Sequence, residues 1–328
     1  MTVLVTGATG FLGSHVAAAL HNAGAEVVAT GRNTAGLRRL SARGLRTVPL
    51  DLAWPVPTST ADRIGPLSAV VHCAGLSSPW GTRAAFEAAN VAATRHLADL
   101  AVQQGVTRFV QVSTASVYFR FADQDGLTEA QIAPMPVNDY ARTKLAAERV
   151  VLDRAALNPV VIRPRGIYGA GDTALLPRLM RVTRTRPLPR FDPAGATDIT
   201  HVDDVVAAIM RALDSDVTGE VFNISGGVGV PLPEIIAAAC ERTGVVPRWR
   251  ALPFGPALAT VRAMEGIAKL LPHRPEPPVT AYALGILRYR QTMDIAKAER
   301  LLSWVPQVAF AEGLARTFKD GALRPGVL

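Results

Sequence analysis

The sequence predicts a doubly wound α/β fold with a parallel sheet and a second, smaller mixed α/β lobe. Short β-branched runs alternate with helical stretches through the first half of the chain, which is typical of parallel sheets joined by right-handed crossovers. The chain has 328 residues, more than a single core usually organises, and 49% of them are hydrophobic. After Arg163 the alternation loosens and prolines become frequent, so we expect the second lobe to begin there.

The elements follow from the two hydrophobic periodicities, alternate residues for strands and three-to-four spacing for helices. The predicted strands are Val3–Thr6, Glu26–Thr30, Arg46–Val48, Ala69–His72, Arg108–Val112, Val160–Arg163 and Glu220–Ile224. The predicted helices are Phe11–Ala23, Arg83–Gln104, Tyr140–Ala156 and Val202–Leu213. Helices that alternate with strands in this way should cover both faces of one sheet.

A glycine-rich turn lies between the first strand and the first helix, with the spacing Gly7-x-x-Gly10-x-x-Gly13. Glycines at this junction let the backbone approach a pyrophosphate that rests on the N-terminus of the helix. The other residues expected to contact the cofactor here are Thr9, Phe11 and Leu12. Structural turns use glycine too, but the position directly after a Val-rich strand favours a dinucleotide site.

The turn assigns the parallel sheet to a dinucleotide-binding domain of the Rossmann type. We expect this domain to span residues 1–165 and to be completed by about 201–225. Residues 166–200 and 226–328 are then expected to form the lobe that binds the substrate.

The end of the second predicted strand favours NADP over NAD. NAD-binding chains carry an acid there that accepts the ribose 2′-hydroxyl, whereas this chain has Arg32, whose guanidinium suits a 2′-phosphate. The alternative is that Arg32 is a solvated loop residue. Two further segments follow the third and fourth strands, where the adenine and its ribose would lie, or are ordinary loops; they are Asp51-Leu52 and Cys73-Ala74-Gly75.

Tyr140 and Lys144 lie four residues apart at the start of a predicted helix, on one face and one turn apart. A phenol with a pKa of about 10 is a poor acid or base near neutral pH, and a nearby cation brings its pKa closer to that range. This pair therefore predicts an acid/base Tyr140 that is tuned by Lys144. The alternative is an ordinary pair on a helix surface.

Hydroxyl side chains follow the fifth strand at Ser113, Thr114 and Ser116, at the edge of the sheet where open α/β proteins bind ligands. One of them should hydrogen-bond the substrate oxygen, although each could simply close a turn. Asn90, late in the preceding helix, is a candidate to hold a water or a backbone carbonyl there.

The chain resembles, over essentially its whole length, an extended short-chain dehydrogenase/reductase, a group that contains nucleotide-sugar epimerases, dehydratases and 3β-hydroxysteroid dehydrogenases. The matching residues are Gly7, Gly10, Gly13, Asp51-Leu52, Asn90, Thr114 to Tyr118, Tyr140 with Lys144, and Arg163-Pro164. The resemblance implies that Lys144 contacts the nicotinamide ribose and that Pro164 lies near the nicotinamide ring. It also selects Thr114, four residues before Tyr118, as the catalytic hydroxyl, with Ser113 left as the alternative.

Arg163 to Gly169 and Thr197 to Asp204 look most like the branch of 3β-hydroxysteroid dehydrogenases and 2-alkyl-3-oxoalkanoate reductases. Nucleotide-sugar enzymes usually place an arginine for the diphosphate at the position of Thr197. The resemblance therefore implies an NADP(H)-dependent oxidoreductase that interconverts a ketone and a secondary alcohol on a hydrophobic substrate, either a 3-oxo acid or a steroid-like ring. The alternatives are a nucleotide-sugar epimerase or dehydratase and a non-catalytic NADP-binding protein.

Other classes of protein are disfavoured by composition. No apolar stretch reaches the roughly 18 to 20 residues of a membrane span, and Met1 leads directly into a strand, so we expect a cytoplasmic chain. The net charge of +8 is scattered, which disfavours nucleic acid as a partner. Cys73 and Cys240 match no metal site, so no metal is expected. The oligomeric state stays open, with a homodimer as one alternative.

One apolar stripe, from residue 257 to residue 271, leaves three interpretations open. Its members recur at helical spacing and are Leu258, Val261, Met264, Ile267 and Leu271. Core packing is the default, and the alternatives are a lid over a hydrophobic substrate and a membrane-facing surface.

Overall fold

The structure is a computed structural model that describes residues 1–173 and 175–319. The strands are β1 (Thr2–Thr6), β2 (Glu26–Gly31), β3 (Arg46–Pro49), β4 (Ala69–His72), β5 (Arg108–Val112), β6 (Gln124–Leu127), β7 (Pro159–Pro164), β8 (Ile167–Tyr168), β9 (Leu188–Arg190), β10 (Ala196–Thr197), β11 (Thr200–His201), β12 (Glu220–Ile224), β13 (Val230–Pro231), β14 (Trp249–Ala251) and β15 (Gln291–Met293). The helices are α1 (Phe11–Asn22), α2 (Thr34–Ser41), α3 (Thr58–Ile64), α4 (Arg83–Phe86), α5 (Ala93–Gln103), α6 (Asp139–Leu152), α7 (Leu175–Thr185), α8 (Val202–Asp214), α9 (Leu232–Glu241), α10 (Phe254–Leu270), α11 (Ala281–Arg288), α12 (Ala296–Leu302) and α13 (Phe310–Phe318).

Seven strands form one parallel sheet in the order β12-β7-β5-β4-β1-β2-β3. Every strand of this sheet was predicted from the sequence to within one residue at each end. In the central strand, Val3 and Val5 face a core that includes α1 and α8, whereas Leu4 faces a core that includes α5. Both faces of the sheet are therefore covered by helices, which confirms the doubly wound Rossmann-type architecture.

Two predicted helices differ from the observed ones. The helix expected over Arg83–Gln104 is interrupted by a π-helical turn at Glu87–Ala92. The helix expected over Tyr140–Ala156 ends at Leu152, and a short 3-10 turn at Ala155–Leu157 follows it. Asn158, with a φ of 42° and a proline after it, ends that turn.

The second lobe contains a small sheet in the order β13-β10-β15-β6 and two pairs of short strands. Its core is formed mainly by α7, α9 and α13 around buried residues such as Leu176, Ile235 and Leu314. Two segments cross the division expected from the sequence. Strand β6 joins the small sheet from within residues 1–165, and Trp304, just after α12, packs in the core of the large sheet.

Helix α10 carries the apolar stripe and contradicts the default interpretation of that stripe as core. Ala268 is its single buried residue, and Met264, Ile267 and Leu271 are exposed. The stripe therefore lies at the surface of the second lobe, and the lid and membrane-facing interpretations remain. None of the helices within residues 1–173 and 175–319 has the length and apolar composition of a membrane span.

Candidate active site

The glycine-rich turn is built so tightly that side chains would not fit. Gly7 has a φ of +65°, and a Cβ atom there would lie 2.8 Å from the backbone nitrogen of Ala74. A Cβ atom on Gly13 would lie 2.2 Å from the carbonyl oxygen of Gly7. Gly10 caps α1 without any side chain, and the first turn of α1 contains no acid. An open, positively polarised helix end of this kind fits the pyrophosphate of a dinucleotide.

Thr9 holds the end of β2 beside this turn, since Cβ atoms built on Gly31 and Gly36 would lie within 3 Å of its side chain. Arg32 follows β2 directly, and its exposed side chain contacts no charged or polar partner among the described residues. Phe11 and Leu12 instead turn toward the core of the sheet and are partly buried there. The turn and Arg32 therefore lie together at one edge of the sheet.

The two predicted loop segments lie at the same edge. Asp51 accepts a hydrogen bond from the backbone of Ala53 at 3.0 Å and stays exposed, whereas Leu52 is buried. Cys73, Ala74 and Gly75 follow β4, the neighbour of β1 in the sheet. Burial raises the pKa of the Cys73 thiol to about 12, so this cysteine is not a nucleophile.

A buried chain of hydrogen bonds behind the turn involves His72, which the sequence analysis missed. Its Nδ1 lies 2.7 Å from the hydroxyl of Thr6, and its Nε2 lies 3.0 Å from the hydroxyl of Thr94. Thr94 in turn donates to the carbonyl of Asn90 at 2.6 Å. Burial lowers the pKa of His72 to about 3, with Lys144 as a second cause, so the ring is a neutral spacer.

Asn90 is buried in the π-helical turn and fastens the loop after β4 to helix α6. Its Oδ1 accepts from the backbone of Leu76 at 2.7 Å, and its Nδ2 donates to the hydroxyl of Thr143 at 3.0 Å. A Cβ atom on Gly75 would lie 3.0 Å from Asn90 Oδ1 and 3.9 Å from Lys144 Nζ. Asn90 thus lies near Lys144 and also donates to the carbonyl of Leu76 at 3.3 Å, a backbone contact of the kind expected from the sequence.

Tyr140 and Lys144 occupy the first two turns of α6, whose N-terminus is capped by Asn138 at 2.8 Å from the backbone of Ala141. The Tyr140 side chain is partly exposed, yet its crowded surroundings raise the pKa of the phenol. The neighbouring hydroxyls of Ser77 and Thr114 oppose that rise. Lys144 donates to the carbonyl of Val112 at 2.5 Å, and burial lowers its pKa to about 8.

Ser113 and Thr114 face different partners. Ser113 donates to Glu148 on α6, whose carboxylate forms a buried ion pair with Arg163, with 2.6 Å between Arg163 Nη2 and Glu148 Oε2. Thr114 instead donates to Ser116 Oγ at 3.1 Å and lies near the Tyr140 phenol, whose pKa it lowers. Of these two hydroxyls, Thr114 is the one that affects the pKa of the phenol, which agrees with the choice made from the resemblance.

Arg163 forms buried hydrogen bonds at the base of the site. It donates to the Tyr118 hydroxyl at 2.7 Å, and that hydroxyl donates to Asn223 Oδ1 at 2.6 Å. Burial opposes the Arg163 charge, but its hydrogen bonds and charge interaction with Glu148 raise its pKa. Pro164 ends the same strand, opposite Ile224 of β12.

The site includes two residues that the sequence analysis did not select. Ser77, in the loop after β4, lies near the Tyr140 phenol and lowers its pKa. Tyr282, on α11 of the second lobe, places its hydroxyl 2.9 Å from Ser116 Oγ. A tyrosine about 140 residues after Tyr140 in an irregular region carries no local signal, so only the fold could reveal it.

A glycine turn at a helix N-terminus, joined to a Tyr-Lys pair and a hydroxyl at one sheet edge, defines an α/β enzyme that uses a nicotinamide dinucleotide. The NAD dependent epimerase/dehydratase family model matches residues 3–225, and the chain belongs to this family. It is an NAD(P)-dependent oxidoreductase that acts on CH–OH groups.

Relatives extend over nearly the whole chain. An uncharacterized protein of Escherichia coli, YbjS, is 32% identical over 97% of this chain and 96% of its own. The 2-alkyl-3-oxoalkanoate reductase of Stenotrophomonas maltophilia is 31% identical over 96% of this chain and 98% of its own. The solved structure of MoeE5 in complex with UDP-glucose and NAD is 30% identical, covers 97% of this chain and 98% of its own, and has a TM-score of 0.75.

Proposed function

We propose that this protein is an NADP(H)-dependent enzyme that interconverts the ketone and the secondary alcohol of a hydrophobic 3-oxo acid or steroid-like substrate. One observation carries the proposal: the Tyr140 phenol lies near Thr114, with Lys144 on the next turn of the same helix. An acid, a hydrogen-bond donor and a cation near the end of β5 and the start of α6 support this chemistry.

The cofactor would rest on Gly7, Gly10 and Gly13, with its nicotinamide near Pro164. When bound, it supplies or accepts the hydride. Thr114 orients the substrate oxygen by donating a hydrogen bond to it. In the direction of reduction, Tyr140 Oη gives its proton to that oxygen, and Lys144 stabilises the phenolate that remains.

The proposed substrate class is supported by the buried surroundings of position 197. Thr197 Oγ1 accepts a hydrogen bond from Arg165 Nε at 2.7 Å, and both side chains are buried. The position therefore offers no second guanidinium for a diphosphate. The name of the 2-alkyl-3-oxoalkanoate reductase, 31% identical over nearly the full chain, supports an apolar 3-oxo acid.

The second candidate is a nucleotide-sugar epimerase or dehydratase, which the likeness to MoeE5 with UDP-glucose supports. A non-catalytic NADP-binding protein is the third, and the presence of both Tyr140 and Lys144 opposes it. NADP is proposed rather than NAD because Arg32 extends freely beside the end of β2, where an acid would favour NAD.

The test is a screen of NADPH consumption with 3-oxo acids and their thioesters, steroid ketones, aryl ketones and nucleotide sugars, using the wild type and Tyr140→Phe as the matched control. We expect turnover of apolar ketones by the wild type and none by the variant. Turnover of nucleotide sugars without any activity on apolar ketones would contradict the proposal.

A further inference from the structure

Arg163 and Arg165 are the two buried arginines among the residues that the structure describes, and they differ in how their charge is compensated. Arg163 donates two hydrogen bonds to the Glu148 carboxylate, from Nε at 2.9 Å and from Nη2 at 2.6 Å. Arg165 forms no ion pair with any described residue, and its one side-chain hydrogen bond joins Nε to Thr197 Oγ1 at 2.7 Å. A buried cation without a paired anion is costly, so the charge of Arg165 needs an explanation.

Asp198, which follows Thr197 in the chain, is a poor counter-ion for Arg165. Its side chain is buried, and its Oδ2 accepts a hydrogen bond from the backbone of Met293 at 2.9 Å. Burial raises the pKa of the Asp198 carboxyl, although Ser225 and Arg165 oppose that rise. The surroundings therefore disfavour the negative charge that would neutralise the guanidinium.

The end of the Arg165 guanidinium is free to bind a ligand. Its Nη1 and Nη2 have no hydrogen-bond partner within residues 1–173 and 175–319. Neither nitrogen is sealed from solvent, in contrast to the unpartnered Nη2 of Arg142 and Nη1 of Arg288. With Nε occupied, these two nitrogens present parallel N–H groups that match the two oxygens of a carboxylate.

The position of Arg165 is fixed by its backbone as well as by Thr197. Its N–H donates to the carbonyl of Ile224 at 3.0 Å, and its own carbonyl accepts from the Thr200 hydroxyl at 2.6 Å. The next residue, Gly166, has a φ of +47° and lies so close to Ile199 that a Cβ atom would be 2.9 Å from that side chain. A side chain held in this way loses little conformational entropy when a ligand binds.

Arg165 leaves the large sheet beside the groups assigned to the chemistry. Strands β5 and β7 are parallel neighbours, so Thr114, after β5, and Pro164, at the end of β7, lie at the same edge. Arg163 contacts α6, the helix that carries Tyr140, and residues two apart along a strand face the same side. Arg165 therefore begins on the α6 side, one residue beyond Pro164.

We propose that Arg165 binds the carboxylate of the substrate, which makes the substrate a 3-oxo acid rather than an ester or a neutral steroid-like ketone. The inference rests on the proposed function and names the substrate class within it. A single carbon separates the carboxylate from the ketone carbon in a 3-oxo acid. One cation beside the reacting carbon therefore holds the acid, while the apolar chain is left to the second lobe.

The test compares 3-hydroxydecanoate with its methyl ester in the direction of oxidation, because the hydroxy acid is stable whereas 3-oxo acids lose carbon dioxide in solution. We expect kcat/KM of the wild type to be about 10- to 100-fold higher for the acid, as charge-assisted hydrogen bonds provide. Arg165→Gln should lower this acid-to-ester ratio by a similar factor.

Two further variants make the test specific. Arg165→Lys keeps the charge and loses the paired N–H groups, so its acid-to-ester ratio should lie between those of the wild type and Arg165→Gln. It also provides the test if Arg165→Gln does not fold. Arg181→Gln is the matched control, because Arg181 is an exposed arginine on α7, and its loss should leave the ratio unchanged.

A second measurement follows binding without turnover. With NADPH bound, 3-hydroxydecanoate has no oxidant, and its binding should raise the urea midpoint of the wild type but not that of Arg165→Gln. UDP-glucose is tested in the same way, because a diphosphate is the other anion that an arginine binds with paired N–H groups.

The assignment would be overturned by an acid-to-ester ratio near one in the wild type, or by a ratio that Arg165→Gln leaves unchanged. Protection by UDP-glucose without protection by the hydroxy acid would also overturn it, because the bound anion would then be a diphosphate. Failure of the proposed function has a different signature, since the wild type would then oxidise neither the acid nor the ester and would reduce no apolar ketone.

Discussion

The large sheet and the second lobe differ in the length of their strands and in the burial of their residues. The strands of the large sheet are four to six residues long, and in β1, β4 and β7 nearly every position is buried. The pairs β8-β11 and β9-β14 of the second lobe contain only two or three residues per strand, and α10 buries one residue of its 17. We infer that the groups requiring fixed geometry belong to the sheet and to helix α6, which packs on it, and we propose that the lobe covers them and selects the substrate.

The distinction between a rigid catalytic region and a covering lobe would be contradicted most clearly if the reaction did not depend on Tyr140. We expect Tyr140→Phe to lower the single-turnover rate by roughly a hundredfold to ten-thousandfold, the usual contribution of a positioned acid. NADP(H) binding, measured by titration, should stay nearly intact, because the lost oxygen acts only in the chemical step. A rate within about threefold of the wild type would exclude the assigned role.

Ser113 and Thr114, two neighbouring hydroxyl residues after β5, allow a catalytic role and a structural role to be compared directly. We expect Thr114→Ala to lower kcat by about a hundredfold, as the loss of one preorganised donor does. Ser113→Ala should change kcat little and lower the free energy of unfolding by about 1.5 to 3 kcal/mol, because Ser113 donates to the charged Glu148. Kinetics and urea unfolding of both variants test this, and the reverse pattern would show that Ser113 is the catalytic hydroxyl.

Lys144 on α6 should show that the folded protein carries an electrostatic cost at the site. Burial lowers its pKa from 10.5 to about 8, so the folded protein disfavours the protonated form at neutral pH. The cost is fully present below about pH 8 and disappears as the pH rises toward 10.5. Lys144→Met should therefore abolish activity yet raise the free energy of unfolding at pH 7, by at most about 3 kcal/mol.

The lost hydrogen bond from the charged ammonium to Val112 reduces that gain by about 1.5 kcal/mol. The measurement is urea unfolding of the wild type and Lys144→Met at pH 7 and at pH 10.5, where the difference between them should shrink. A variant that is less stable than the wild type at pH 7 would contradict the assigned cost of burying the Lys144 charge.

The sequence predicts residues whose signal is local and misses those that only the fold brings together. Tyr140 and Lys144 were found because one helical turn separates them, and the seven strands because their alternation is strong. Tyr282 reaches the site through packing of α11 on Phe119, which no spacing in the sequence encodes. The prediction that the stripe on α10 packs in the core was wrong for a related reason. Helical periodicity shows that a face is apolar but not what covers it.

Substitution of Arg32, at the edge of the sheet expected to bind the cofactor, should have a smaller effect, on cofactor preference. A charge-assisted hydrogen bond to the 2′-phosphate contributes about 1.5 to 3 kcal/mol, and the exposure of this loop places the expectation near the lower end. We therefore expect the wild type to bind NADPH about tenfold more tightly than NADH. Arg32→Ala should erase most of that preference and leave NADH binding unchanged.

Titration of both cofactors into both proteins at fixed salt is the measurement. Arg38 and Arg39 on α2 are also exposed, and the same titration of Arg38→Ala serves as the matched control. Equal affinities of the wild type for the two cofactors would identify Arg32 as a solvated loop residue.

The smallest expected effect is at Ile267 on α10. This residue tests whether the surface of the second lobe is uncovered in solution. Ile267 is 60% exposed, whereas Ile235 in the core of the same lobe is 1% exposed. Ile235→Ala should cost about 2 to 5 kcal/mol of unfolding free energy, and Ile267→Ala less than about 0.5 kcal/mol, since alanine also favours helix. Urea unfolding at two protein concentrations decides it. A large, concentration-dependent cost at Ile267 would mean that a second copy of the chain covers this face in solution, and α10 would then be an interface rather than an uncovered surface.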